Sequence, residues 1–280
     1  MAAGDHCFDL VRSADKDRFL ASLFAPDELR PHLHALYAFN IELTRIRESV
    51  SEPSLGEIRL QWWNDAITGA ASRTGHGHPV VRDLSHAIQA FDLPRQTFIN
   101  MIEARRFDLY VDPMPSLNDL EGYLGETSSA LIQLAGLILD PAEAMQRTEA
   151  SGFAGVAMGL TGLLRSLPLH RARGQCYVPR DMLEKHGLSV IDVLGGGDRP
   201  ALAILLADLR AVVADRYASA REAARGISPK LLPALLPAGL VPLYLGRLAT
   251  LGTRSLSEVA ESPQWRRQFH LYRCMKRRSL

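Results

Sequence analysis

Cysteine is scarce: Cys7, Cys176 and Cys274 stand far apart in 280 residues, and no two form a C-x-x-C pair. An odd, scattered set of thiols argues against a disulfide framework or a zinc site and suits a reducing compartment. A surplus of either charge is missing too, with 32 Lys and Arg against 31 Asp and Glu for a formal net charge of +1. That balance gives no general pull towards nucleic acid or anionic surfaces. No useful length of sequence alternates apolar and polar residues as a half-buried strand would. No apolar run reaches the roughly 18–20 residues expected of a membrane span. The N-terminal stretch lacks the apolar centre of a signal peptide, and Asp5, Asp9, Asp15 and Asp17 disfavour a transit peptide. A cytoplasmic protein is the default expectation.

What is present reads as helix punctuated by proline. With 47% hydrophobic and 22% charged residues the composition is that of an ordinary globular protein. The expected architecture is all-α; the length allows two domains, and one large helical bundle around a central cavity over residues 1–280 fits as well. Asp9 to Phe24 is predicted as a first helix, closed at Ala25-Pro26. In the second, Leu29, Leu33, Leu36, Tyr37, Asn40, Leu43 and Arg47 share one stripe. Asn40 and Arg47 interrupt that apolar face, either as a solvated end or a satisfied polar pair, or as groups facing a cavity. Further helices are expected over 56–70, 94–110, 116–139, 180–187, 200–226 and 229–251, the last kinked by Pro233, Pro237 and Pro242. Ser116 caps its helix with Asp119 three residues on. Trp62 and Trp63 are read as core rather than as a ligand platform. His76 and His78 in a Gly/Pro loop have no third donor nearby, and Gly195-Gly196-Gly197 is a linker rather than a phosphate loop. GETSSA over 125–130 has the wrong spacing for a nucleophile elbow.

The central stretch is Gly152 to Pro179. Phe153, Val156, Leu160, Leu163 and Leu164 recur at helical spacing with Gly155, Ala157, Gly159 and Gly162 between them, so other helices or a ligand can approach closely. Arg165, a basic loop with His170, Arg171 and Arg173, and the segment Gly174 to Pro179 follow. This pattern resembles the second signature of the squalene and phytoene synthase family, with Thr161, Leu164, Arg165, Gly174, Tyr177 and Pro179 keeping the frame. The segment LHALYAFNIELTRIRES over 33–49 is similar to the family's first signature, matching at Ala35, Leu36, Tyr37, Ala38, Phe39 and Ile46. RLQWWNDA over 59–66 and the helix from Ser116 to Leu139 resemble further family segments.

The resemblance implies the isoprenoid-synthase fold. In the family's enzymes it also implies condensation of two prenyl diphosphates, ionised by Mg²⁺ held on two acidic motifs. Those motifs are replaced here. Thr44 and Arg45 stand at the first pair of aspartates, with only Glu48 keeping a carboxylate, and Ser166 and His170 stand at the second pair. Mg²⁺ takes hard oxygen ligands, usually carboxylates with substrate phosphates, and Ser and His at these positions do not supply them. Pro168 between Ser166 and His170 also removes a helical N–H.

The pattern at Arg165 to His170 is similar to the family's non-catalytic branch, which contains a mitochondrial respiratory complex I assembly factor. The expectation is therefore a non-enzymatic protein assisting assembly of a membrane respiratory complex, with no catalytic residues and no cofactor. One alternative is a prenyltransferase with Mg²⁺, its metal site rebuilt on Glu48, Glu103, Asp108 or Glu126. Another is a module binding a prenyl or phospholipid ligand, its cavity lined by Thr44, Arg45, Glu48, Ser166 and His170. In that module Arg45, Arg47, Arg165, Arg171, Arg173 and Tyr177 would meet the phosphate. No nucleic-acid partner is expected. Over 264–280, Trp265, Phe269, Tyr272 and Met275 share a face amid basic residues without an acid. The preferred reading docks these aromatics on the bundle. The alternative lays a basic amphipathic helix peripherally on the inner face of an anionic membrane.

Overall fold

The computed structural model describes residues 5–69, 77–195 and 200–280, and among them there are helices and no strand. The chain opens with α1 (Asp5–Ala14) and α2 (Lys16–Ser22) rather than one helix to Phe24. Asp15 causes the break: at φ −133° it leaves the helix, and its carboxylate accepts from the Arg18 amide at 3.1 Å as an N-cap. α3 (Arg30–Arg45) carries Pro31, rather than Pro26, in its first turn, where the helix needs no N–H. α4 (Pro53–Thr68), α5 (Pro79–Ala90) and α6 (Arg95–Ala104) follow, and α6 runs into a 3₁₀ turn over Arg105–Leu109. Ser116 does cap α7 (Leu117–Leu124), accepting from Asp119 N at 3.2 Å.

The expected helix from Ser116 to Leu139 is interrupted. Gly125–Ser129 forms a π turn between α7 and α8 (Ala130–Leu139). Such a turn adds a residue to the helical repeat and re-aims the side chains beyond it. After α9 (Pro141–Gln146), the central helix α10 (Thr148–Arg165) packs on this π turn, on α8 and along α14 (Pro200–Ala223). Gly155 is what permits the crossing, since a Cβ there would lie 2.3 Å from Ser129 Cα. Pro168 acts as expected: α10 ends at Arg165 and α11 (Leu167–Ala172) restarts with proline in its first turn. α12 (Arg180–Lys185) and α13 (Val190–Gly195) lead to α14. Gly196, Gly197 and His76 lie outside the described residues.

Leu232 to Leu256 is a continuous helical run holding an 18-residue window of mean hydropathy 1.4, as long and apolar as a membrane span, contrary to the sequence expectation. It is built from α15 (Leu232–Leu235), a 3₁₀ turn over Leu236–Leu240 and α16 (Val241–Leu251), with a closing 3₁₀ turn at Gly252–Leu256. Every residue from Leu231 to Val241 is buried, so the run's first half forms the centre of the bundle. α17 (Gln264–Arg277) packs on the Leu236–Leu240 turn. Buried apolar residues from Cys7 to Leu280 join in one core.

Trp63 is part of that core, and Trp62 stands against it edge to face at 5.0 Å. α17 reverses the preferred expectation. Leu271 and Cys274 are its buried residues, while Trp265, Phe269 and Tyr272 are exposed; of the expected face only Met275 packs inward.

Candidate functional site: a cleft of paired arginines

α2, α3, the turn at 105–109, α7, α10 and α16 enclose a cleft of about 340 Å³. Thr44 at the end of α3 and Ser166 after α10 both line it, as do Glu48 and His170. Asn40 and Arg47 face the cavity rather than solvent, and Arg165, Arg173 and Tyr177 join them. Two expected residues do not. Arg45, one step round the helix from Thr44, lines a separate surface groove with Glu42, Arg59 and Trp62. Arg171 donates to the carbonyls of Leu194, at 3.1 and 2.9 Å, and of Leu256, so it ties α11 to α13 and the turn before α17.

Sequence reasoning missed the hub of the cleft. Asp108, by sequence no more than a substitute metal ligand, has a buried carboxylate that already accepts from several hydrogen-bond donors. Tyr123 Oη donates to it at 2.8 Å, Tyr177 Oη at 2.8 Å and Arg105 Nη1 at 3.1 Å. Arg105 also donates to Tyr123 Oη at 2.6 Å, and Gln175 Nε2 donates to the Asp108 carbonyl at 2.8 Å. Burial raises both tyrosine hydroxyls well above their ordinary range, reinforced by the Asp108 charge, so both stay protonated as donors. Above them His170 packs 4.6 Å from the Tyr177 ring, and burial beside Arg173 lowers its imidazole to about 4. His170 is neutral at pH 7.

The other carboxylates on the cleft wall are also paired. Arg18 meets Asp15 at 2.5 Å, and Arg173 meets Glu48 at 2.8 Å. Asp17 takes Arg267 at 2.7 Å, Tyr244 Oη at 2.6 Å and Arg165 at 3.5 Å. Arg165 lies 3.5 Å from the Tyr244 ring centroid and donates to Ala260 O, so it is held in place rather than open to a ligand. Four carboxylates against five arginines leave one net positive charge on the wall. The surplus is Arg47: among the described residues it has no ion pair, and its buried Nε has no hydrogen-bond partner. Elsewhere, Glu103 pairs with Arg106 at 2.6 Å, and neither it nor Glu126 reaches the cleft.

This donor set does not fit the Mg²⁺ ions of diphosphate chemistry. Each wall carboxylate is already engaged by arginine, and the described residues hold no group of three or more His, Cys, Asp or Glu arranged for a metal. The apolar lobe beside the cleft, walled by Leu120, Leu160, Leu163, Leu164, Leu167 and Leu209, encloses about 20 Å³. A single water needs about 10–15 Å³ on this measure, so this lobe has room for little more than one.

The helical bundle with its central cleft is the architecture of isoprenoid-joining synthases. A dehydrosqualene synthase crystal structure superposes with a TM-score of 0.85 over 99% of this chain and 96% of its own, at 19% identity, a likeness of fold alone. Residues 11–272 match the squalene/phytoene synthase family, and the chain belongs to that family. Within it, the NADH dehydrogenase (ubiquinone) complex I assembly factor 6 of Bos taurus is 29% identical over 243 residues, 87% of this chain and 73% of that one. The bifunctional protein CrtB/UppS of Streptomyces coelicolor is 29% identical over 199 residues, 69% of this chain and 35% of its own.

Proposed function

We propose that the chain is a non-catalytic member of the squalene/phytoene synthase family that assists assembly of respiratory complex I. One observation carries this reading: every carboxylate lining the cleft is paired with an arginine, so none is left to gather the metals on which prenyl-diphosphate ionisation depends. Thr44, Arg45, Ser166 and His170 at the positions of the acidic motifs support it, as does the likeness to the bovine assembly factor. The cleft then serves recognition. Arg47, the uncompensated cation in a partly polar cavity, favours an anionic group, and arginine's planar fork binds phosphate or carboxylate without a metal. Arg165, expected to head such a site, plays a structural part in this reading.

The test has two arms. Purified protein is incubated with radiolabelled farnesyl or geranylgeranyl diphosphate and Mg²⁺, and no condensation product is expected. Cells lacking the chain are then complemented with wild type or with Arg47→Ala and followed on native gels for complex I. Wild type restores the assembled complex, and Arg47→Ala leaves assembly intermediates. A squalene- or phytoene-type product would sink the non-catalytic reading. Normal complex I without the chain would sink the assembly role, and full rescue by Arg47→Ala the role of the cleft.

A further inference from the structure

We propose that the outer face of α17 docks on an anionic lipid bilayer. Trp265, Phe269 and Tyr272 repeat at i, i+4 and i+7 and are 63%, 58% and 52% exposed, so three aromatic side chains form a stripe that touches solvent instead of the core. Around them Arg266, Arg273, Lys276, Arg277 and Arg278 are exposed, and no acidic side chain occurs from Ser262 to Leu280. None of these five cations forms an ion pair among the described residues. Arg266 and Arg273 instead lie over the Trp265 and Phe269 rings at 5.2 and 5.9 Å. Aromatic rings flanked by unpaired cations suit the headgroup layer, where rings enter the acyl boundary and cations meet lipid phosphates. A near-neutral chain concentrating such charge on one face is complementary to an anionic surface and not to a neutral one.

The face is preformed. Leu271 and Cys274 bury its inner side, Gly239 leaves room for Cys274 Sγ, and Arg267 is locked to Asp17. Beside it opens a groove of about 970 Å³ whose walls add Lys16 and Arg247 to Arg266, with Glu261 and the Asp17-bound Arg267 also lining it. Another cavity lies between the two, sharing Asp17 and Arg165 with the cleft and Lys16 and Arg267 with this groove. The proposal stands apart from the complex I reading and fails or survives independently of it.

The test is co-sedimentation of the full chain with phosphatidylcholine vesicles and with vesicles in which about one third of the lipid is phosphatidylglycerol. Binding is expected only to the anionic vesicles and is lost at about 1 M salt, where the Debye length falls to about 3 Å. Trp265→Ser/Phe269→Ser/Tyr272→Ser and, separately, Arg266→Glu/Arg273→Glu/Lys276→Glu each lower the bound fraction about tenfold or more. Both variants change exposed side chains only, and unchanged circular dichroism and melting verify that they fold. No binding, equal binding to neutral vesicles, or binding indifferent to both variants overturns the proposal. So does a concentration-dependent dimer without vesicle binding that the same variants abolish, which would give the face to a second copy.

Discussion

Neutralising Asp108 tests whether the cleft is held by ion pairs or poised for metals. Asp108→Asn keeps the shape and one acceptor oxygen but removes the charge that Arg105, 14% exposed at its side chain, is buried against. Breaking a buried pair by removing one partner costs about 3–5 kcal/mol, because the surviving charge stays desolvated. The two tyrosine hydroxyls lose a charged acceptor in addition, so the upper half of that range is expected. Total stabilities are about 5–15 kcal/mol, which makes the loss easy to read as a fall in the urea midpoint at unchanged slope. Arg105→Met in the Asp108→Asn background removes the stranded charge and should recover at least about half of the loss. A metal site predicts otherwise: Mg²⁺ would stabilise the wild type against thermal unfolding, and Asp108→Asn would abolish that effect. Additive losses in the double variant, or Mg²⁺-dependent stabilisation of the wild type, would refute the reasoning.

Two substitutions on α10 should have opposite signs. Gly155→Ala places a methyl against the Ser129 backbone and costs about 1–3 kcal/mol, whereas Gly162→Ala meets nothing within 4 Å and gains about 0.5–1 kcal/mol in the same denaturation assay. Acid sensitivity should trace to His34 and His170, both lowered by burial from 6.5 to about 4. Above pH 6.5 both states are neutral; below it the unfolded chain binds protons that the native state refuses, so stability falls as pH drops towards 4, by about 3 kcal/mol per ring. A His34→Gln/His170→Gln variant should flatten the stability profile between these limits, and an unchanged slope would assign acid lability to other groups.

The frame of the fold is legible in the sequence because it rests on local periodicity. α3, α10 and α14 each repeat apolar residues at three and four, and Pro31, Pro53 and Pro79 mark helix starts by their missing N–H. The break at Asp15 carried a signal too, a capping aspartate inside an otherwise continuous pattern. The facing of α17 carried none. Trp265, Phe269 and Tyr272 form one i, i+4, i+7 stripe, and Arg267, Leu271 and Cys274 form another. Helical spacing alone does not choose between them. The choice is made by residues far off in the chain: Gly239 leaves room for Cys274 Sγ, at 3.2 Å from where its own Cβ would be, and Asp17 captures Arg267 across 250 positions.

The same long reach explains why the cleft's chemistry was hidden. Charge-bearing residues could be named from the sequence, but a carboxylate that ligates a metal and one that neutralises an arginine look alike until their partners are known. Asp17 meets Arg165 and Arg267 from two distant helices, and Asp108 gathers Arg105, Tyr123 and Tyr177 around one carboxyl group. Pairing settles the electrostatics of the cavity. Metal ions would add several positive charges to attract a diphosphate, whereas the wall's four carboxylates and five arginines, with Arg267 behind Asp17, leave a small positive excess in which Arg47 is the unpaired member. The cleft's volume of about 340 Å³ and its unpaired Arg47 are the features on which the proposed recognition of an anionic group rests. The two proposals together give the chain a means of bringing a soluble partner and a membrane surface together: the cleft at Arg47 for an anionic group, the basic aromatic face of α17 for lipid.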